Sequence, residues 1–474
     1  MQCTFRIQPA HWGLMHQLDH LRFVLARMKD TRHKGPSRRS FVKQILGASA
    51  SLSLAELTPL RQLHAQSAKT TTKAPPPDPN GLSPEDHEFL NDLEKASFQF
   101  FWDQADSKTG LVKDRCNVHI NDTGIVGSIA ATGFGLTALC IGEKRGFVPR
   151  AWAQDRAVIT LRTLWGKLPH HRGFFYHWAN VTTGERVWDA EVSSVDTTIL
   201  LCGVLCCRQY FQDDEIDALA GSIFDRVEWT WLSEDTALLP HGWTPEIGFL
   251  PYRWDNYSEL MMLYLLGLGS TTFPLRDDAW TAWKRLKFEY DGLRYIGSFA
   301  PLFVHQYSQA WFDFRGKRDK FADYFENSVT ATDVHRRFCL ELSKQFPTYS
   351  DDVWGITASD SKNGYVIWGG PPAVGPIDGT VAPSAAGGSL PFLPQPVMRV
   401  LRTIKTRYPS AWTKYGFVNA FNPLTSWYDT DVIGIDTGIT LLMAENVRTG
   451  FVWNTFMKST QARRGMDRAG FKKY

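Results

Sequence analysis

The 474-residue chain has little of what disulfide scaffolds, metalloproteins and membrane proteins depend on. It has seven cysteines, with no CxxC pair and no HExxH, and its histidines are scattered, so no metal site and no cofactor is expected. Cys202, Cys206 and Cys207 share one apolar segment, and Cys140 and Cys339 sit in helical patterns; buried free thiols are the expected state. No apolar run is long enough to span a bilayer. A basic excess is also missing once the chain is divided. Residues 1–68 hold ten Lys/Arg against three Asp/Glu, and the remainder holds 42 against 46. Nucleic acid, which requires a basic face, is therefore not an expected partner.

The first 68 residues read as a leader. Ser37-Arg38-Arg39-Ser40-Phe41-Val42-Lys43 has the twin-arginine pattern, the mildly apolar Ile45–Leu57 follows, and His64-Ala65-Gln66-Ser67-Ala68 offers small residues for cleavage. The alternative is a basic tail. The expected partner is the Tat export machinery, and the expected location is periplasmic or secreted. Thirty-six residues before Ser37 are long for such a signal, and Met28 is an alternative start. Residues 69–84 form a Pro/Thr linker (KTTTKAPPPDP), residues 85–460 one patterned domain, and residues 461–474 a polar tail expected to fray.

Within the domain a pattern recurs six times: a short polar stretch runs into small and apolar residues. The stretches begin at Ser128, Val192, Tyr257, His305, Thr380 and Ile435. Amphipathic, more charged segments lie between them, such as Arg150–Lys167, Asp214–Leu232, Asp278–Tyr290 and Pro396–Tyr408. Buried helix alternating with half-buried helix predicts an all-α (α/α)6 toroid, six inner and six outer helices, with an active-site cleft at one mouth.

The polar starts of the inner helices would meet at that mouth. They carry Asp189, Glu191 and Asp196 in WDAEVSSVDT, Glu259 ahead of an uncharged run to Leu268, Asp378 before Gly379, and Asp436 in IDTGITLL. An Asp at a helix start is usually a cap. Glu259 abuts a wholly apolar wall, which favours a raised pKa and a general acid. Two carboxyls across a cleft are the minimal apparatus for glycoside hydrolysis. Seventeen of 18 Trp follow the leader, many in polar loops, including Trp178, Trp188, Trp254, Trp354 and Trp427. Each is either packing or a platform for a sugar ring; together they favour a carbohydrate cleft. His177, Tyr257, His305 and Gln306 complete the candidate binding residues.

These segments carry a resemblance. ATGFGLTAL, GFFYHW, EVSSVDTTILLCGVL, GWTPEIGFLPYRWDNYSE, LFVHQYSQAWFDFRG, WGITASDS, DGTVAPSAAGGSLPFLP and YGFVNAFN with IGIDTG resemble the bacterial glucoamylase-like domain, and within it glycoside hydrolase family 144. The resemblance spans residues 85–460. It implies an (α/α)6 barrel and an inverting, metal-free hydrolase of β-1,2-glucans, with Glu259 of the WxxYxE motif as the acid and Glu191 and Asp196 as site residues. Departures are HQYSQ for HQYSH at Gln309, and GIDTGI for GIDQGP at Thr437 and Ile439. Related domains rearrange chains rather than hydrolyse them, so a retaining transglycosylase is one alternative. A lyase using Arg253, His177 and Tyr257, and a non-catalytic periplasmic glycan-binding protein, are others.

Overall fold

The structure is a computed structural model and describes residue 78 and residues 80–298, 301–372 and 375–474. The leader, its twin arginines and most of the linker lie outside the described residues. The described chain is helix-rich, and its strands are two to four residues long. Among the described residues no helix is long and apolar enough to cross a membrane.

The most buried helices are Ile129–Lys144, Ser194–Phe211, Leu260–Gly269 and Gly434–Thr449, which begin near four of the six expected starts. Ser128 and Ser193 cap the first two through their Oγ atoms, which accept from the N–H of Ala131 and Asp196. The two helices cross with their backbones in contact, which glycine permits. A Cβ on Gly203 would lie 2.1 Å from the carbonyl oxygen of Gly133, and one on Gly133 2.6 Å from Cα of Leu200. Cys140 and Cys207 pack at the same junction, sulfur to sulfur 3.7 Å apart. All six described cysteines are buried free thiols, as expected.

The other two expected inner helices are short. The His305 start yields Tyr307–Trp311, and the Thr380 start yields Pro383–Gly387, which ends at a Gly-Gly pair. Of the outer segments, Arg150–Gly166 and Pro394–Arg407 form as expected, whereas Asp214–Leu232 divides into Asp214–Asp225 and Trp229–Ser233. Asp278–Tyr290 is not a helix beyond Ala279–Ala282. Its second half is one strand of the hairpin Lys287–Tyr290 with Leu293–Ile296, turned at Asp291-Gly292, both at positive φ. That dipeptide is a strong hairpin signal and overrides the helical periodicity.

The expected frayed tail is also corrected. Thr460–Arg468 is a helix seated on Leu260–Gly269, where Gly269 and Gly465 let the backbones meet, and Lys472–Lys473 pairs with Lys317–Arg318. At the other end Asn80, assigned to the linker, donates from Nδ2 to the carbonyl of Val447 at 2.6 Å. The packed unit therefore extends beyond residues 85–460 on both sides.

Short ladders fix where the buried helices start. Val126–Ser128, Val192–Ser193 and Asp431–Ile433 each run straight into a helix. Each also pairs with a loop strand: Ser128 lies opposite Trp178, Val192 opposite Trp243, and Ile433 opposite Arg115. The ladders thus bring aromatic and charged loop residues to the ends of the buried helices.

Gly203→Ala is expected to destabilise the fold by about 1–3 kcal/mol, because the new methyl meets a backbone oxygen rather than a yielding side chain. A urea titration checks this, with Gly166→Ala as control, since nothing lies within 4 Å of a Cβ there. An unchanged midpoint for Gly203→Ala would contradict the close crossing.

Candidate active site

Glu259 immediately precedes the Leu260–Gly269 helix and is 8% exposed. Its carbonyl accepts from Ser308 Oγ at 2.8 Å, and its carboxylate Oε2 is buried with no hydrogen-bond partner. Burial pushes this carboxyl up to about 7, its own backbone N–H opposing and the charge of Asp196 adding to the rise. Glu259 is therefore a half-protonated acid near neutral pH.

Asp196 occupies the first turn of Ser194–Phe211 and accepts from Ser193 Oγ at 2.5 Å. His177 lies between Asp196 and Glu191: its Nδ1 is 2.9 Å from Glu191 Oε1 and its Nε2 3.5 Å from Asp196 Oδ2. Burial alone would lower the His177 pKa, but the two carboxylates outweigh it and hold the imidazole at about 9. The ring is thus a cation, and it stacks on Trp178 with centroids 4.0 Å apart. Trp188 meets Trp178 edge-on at 5.8 Å and is 39% exposed.

Asp436 opens the Gly434–Thr449 helix. Burial pushes its carboxyl up to about 7, opposed by the hydrogen bond from Asn419 Nδ2 at 2.5 Å. Tyr307 stands among these groups: after burial, its hydroxyl is raised by Asp436, Tyr365, Glu259 and Asp196. One phenol therefore feels both the Glu259 and the Asp436 side of the site.

A second acidic group adjoins Asp436. Arg115 Nε is 3.1 Å from Asp114 Oδ2, and its Nη1 is 2.6 Å from Asp360 Oδ2 and 3.4 Å from Asp431 Oδ2. Asp429 lies beside them, its carboxyl pushed up to about 7 by burial and by Asp360. Asn419 joins the two groups, since its Oδ1 accepts from the N–H of Asp360 at 2.7 Å.

Of the residues expected from sequence, Glu259, Glu191, Asp196, His177, Trp178 and Asp436 come together. Others do not. Asp189 is exposed at φ 49°, with its carbonyl held by Arg186. Asp378 is an exposed cap, accepting from the N–H of Thr380. Trp254 is buried, donates to Ser194 Oγ and stacks on His241; Trp354 is wholly buried. Tyr257 and His305 pair inside the core at 3.1 Å, and Gln306 donates to Ala385 O and Ser389 Oγ. Trp427 is half-buried in a two-residue strand. Of the lyase trio, Arg253 is paired to Glu234, His177 to Glu191 and Asp196, and Tyr257 to His305. Gln309 is fully buried and donates to Tyr324 O and Ser328 Oγ, so the HQYSQ departure falls on packing.

Sequence reasoning missed Tyr307, Tyr365, Asn419, Asp114, Arg115, Asp360, Asp429 and Asp431. Tyr307, Asn419 and Asp360 stand in the segments HQYSQ, YGFVNAFN and WGITASDS, so a signal existed for them. Asp114 and Arg115 lie more than 300 residues before Asp429 and Asp431 and meet them only in space.

Comparison with known proteins fits this arrangement. Residues 251–460 match the family described as "Glycoamylase: Putative glucoamylase". Over those residues the chain resembles glucoamylase-like proteins. An exo β-1,2-glucooligosaccharide sophorohydrolase (non-reducing end) of Parabacteroides distasonis is 27% identical over 423 residues, 81% of this chain. The chain spans 58% of the length of that curated relative. The structure of an endo-β-1,2-glucanase from Chitinophaga pinensis, complexed with sophorotriose and glucose, has 27% identity and a TM-score of 0.77, covering 83% of this chain and 99% of that one. A Bacteroides uniformis structure described as a glucoamylase gives 29% identity and TM-score 0.77, covering 83% of this chain and 98% of that one. The chain is thus similar to glucoamylase-like proteins and to enzymes described as β-1,2-glucan hydrolases.

The raised carboxyl of Glu259 has a sign that can be tested. Its folded pKa of about 7 exceeds the ordinary 4.5, so the folded state binds the extra proton and the group's contribution to stability falls as pH rises from 4.5 through 7. Glu259→Gln removes that dependence. The variant is expected to gain about 1–3 kcal/mol on the wild type between pH 4.5 and pH 8. Thermal unfolding of both proteins at the two pH values checks this; a constant difference would mean that Glu259 is not desolvated.

Proposed function

We propose that this chain is an exported glycoside hydrolase that cleaves β-1,2-linked glucan or its oligosaccharides with inversion, and that its helices close into a double ring of six inner and six outer helices around the site. The observation that carries the reading is Glu259: a desolvated carboxyl with a free buried oxygen, near neutral in pKa, in the company of other helix-start carboxylates. The substrate class rests on the named relatives.

Glu259 protonates the glycosidic oxygen as the bond breaks. The carboxylate of Asp436 draws the proton from the attacking water, from the far side of Tyr307. Glu191 is less suited as base, because His177 already occupies one of its oxygens. Inversion needs the two carboxyls about 6.5–9.5 Å apart, with a water between them. Trp178 and Trp188 offer ring faces to the sugar.

Glu259→Gln is expected to lower turnover on linear β-1,2-glucan by about 10²–10⁴-fold, measured as released reducing ends. The wild-type rate should pass through a maximum near pH 7, falling above it as Glu259 loses its proton and below it as Asp436 gains one. Proton NMR of fresh product should show the α-anomer first. Near-wild-type turnover of the variant would remove Glu259 from catalysis. Initial β-anomer, or transferred and cyclic products, would favour the retaining transglycosylase.

Export is proposed through the twin arginines. Arg38→Lys with Arg39→Lys should leave the protein unprocessed in the cytoplasm, as read by fractionation and immunoblotting. Continued appearance of a species starting near Gln66 or Lys69 outside the cytoplasm would sink the Tat reading.

A further inference from the structure

The acidic group around Arg115 is out of balance. Asp114, Asp360, Asp429 and Asp431 supply four carboxyl groups, and Arg115 is the cation paired with three of them. Buried charge has to be paired or neutralised, because desolvation of an isolated carboxylate is too costly to persist. The pairing is also one-sided. Arg115 takes one oxygen from Asp360 and one from Asp431, in both cases Oδ2. Oδ1 of Asp431 has only a long 3.4 Å contact with Thr430 Oγ1. Asp429 is 7% exposed; its Oδ1 accepts from the N–H of Asp431, and its Oδ2 is buried with no partner.

One oxygen from each of Asp360, Asp429 and Asp431 lies within 4.8 Å of the other two. Three oxygens within that span lie no more than about 2.8 Å from a common centre, so a small inward shift brings all three to a calcium–oxygen bond of about 2.3–2.6 Å. The donors are all oxygen, which selects a hard cation over zinc or copper. The alternation Asp429-Thr430-Asp431 places two carboxylates from one loop on the same ion, with Asp360 arriving from another loop. We propose that Asp360, Asp429 and Asp431 form a calcium-type divalent cation site whose second side is closed by Arg115.

Glycosidic hydrolysis by two carboxyl groups does not require this ion. Its role is to neutralise the acidic group and to fix the loops that hold Asn419 against Asp436. Calcium suits the site better than magnesium, which demands near-octahedral geometry and gives up its water reluctantly. With three carboxylates and a guanidinium alongside, the affinity belongs to the weak class, with Kd of about 10⁻⁴–10⁻³ M.

The test uses the whole protein, first stripped with EDTA. CaCl2 is titrated calorimetrically, and in parallel TbCl3 is titrated while its luminescence is excited through the neighbouring aromatic side chains. The wild type is expected to bind one ion, and about 10 mM CaCl2 should raise its Tm by roughly 1–5 °C over the EDTA form. Asp429→Asn should weaken binding at least about tenfold, and Asp360→Asn, which leaves the Asp429–Asp431 loop intact, should do the same; near-UV circular dichroism reports whether each variant is folded. MgCl2 at equal concentration should give the smaller shift. Absence of binding at about 10 mM CaCl2, or equal affinity in wild type and a folded variant, would overturn the site. So would a cluster that ignores CaCl2 but loses sophorose binding in Asp429→Asn, for then its partner is a sugar hydroxyl. These measurements do not involve turnover, so their outcome is separate from that of the hydrolase reading.

Discussion

Desolvation of carboxyl groups at the starts of buried helices is the constraint on which the site depends. Glu259 and Asp436 each begin a helix whose body is closed to water, and each is held near pH 7 rather than near 4. A helix N-terminus ordinarily favours a negative charge, so burial is working against the local dipole and prevails. The scaffold supports this by pairing several of the groups around them. Asn419 bonds Asp436, Ser308 bonds the Glu259 backbone, and His177 bridges Glu191 and Asp196. Oε2 of Glu259 and Oδ2 of Asp429 are left buried without a partner.

The ladders that precede the helices explain how such groups are placed. A helix alone leaves its first turn free to fray. Here the residue before the helix is a strand residue, bonded across to another loop. Ser128 is tied to Trp178 and Ile433 to Arg115. The aromatic wall and the Arg115 cluster are thereby set relative to the helix starts by backbone hydrogen bonds, not by side-chain contacts alone.

Much of this was legible in the sequence where periodicity is strong. The buried helices at Ile129, Ser194, Leu260 and Gly434 could be read because small and apolar residues run unbroken for two turns or more. The hairpin at Asp291-Gly292 could have been read from its turn, and was hidden by an amphipathic pattern upstream. The helix Thr460–Arg468 was hidden by charge: its buried face consists of Gln461, Ala462, Gly465 and Met466, which carry little hydrophobic signal. At the site, Glu259 was visible because it is a lone charge against an apolar wall. Trp254 and Trp354 were misjudged because a polar loop around a Trp looks the same whether the ring faces solvent or the core. Asp429 and Arg115 had no local signal, since their chemistry exists only once distant loops meet.

Two buried glutamates and two half-buried arginines join the two ends of the described chain. Glu94, on the helix Pro84–Asp103, pairs with Arg448, and Arg145 lies 2.6 Å from Glu445 and 3.3 Å from Glu94. Glu94 is wholly buried, and burial with the nearby Glu445 pushes its carboxyl up to about 8. Its partner Arg448 is 354 residues further along. A ribosome has therefore delivered almost the entire chain before Glu94 can gain its pairing with Arg448, although Arg145 is available much earlier. The first described helix is sealed only when the last third of the sequence arrives, so this part of the fold closes late in synthesis or after it.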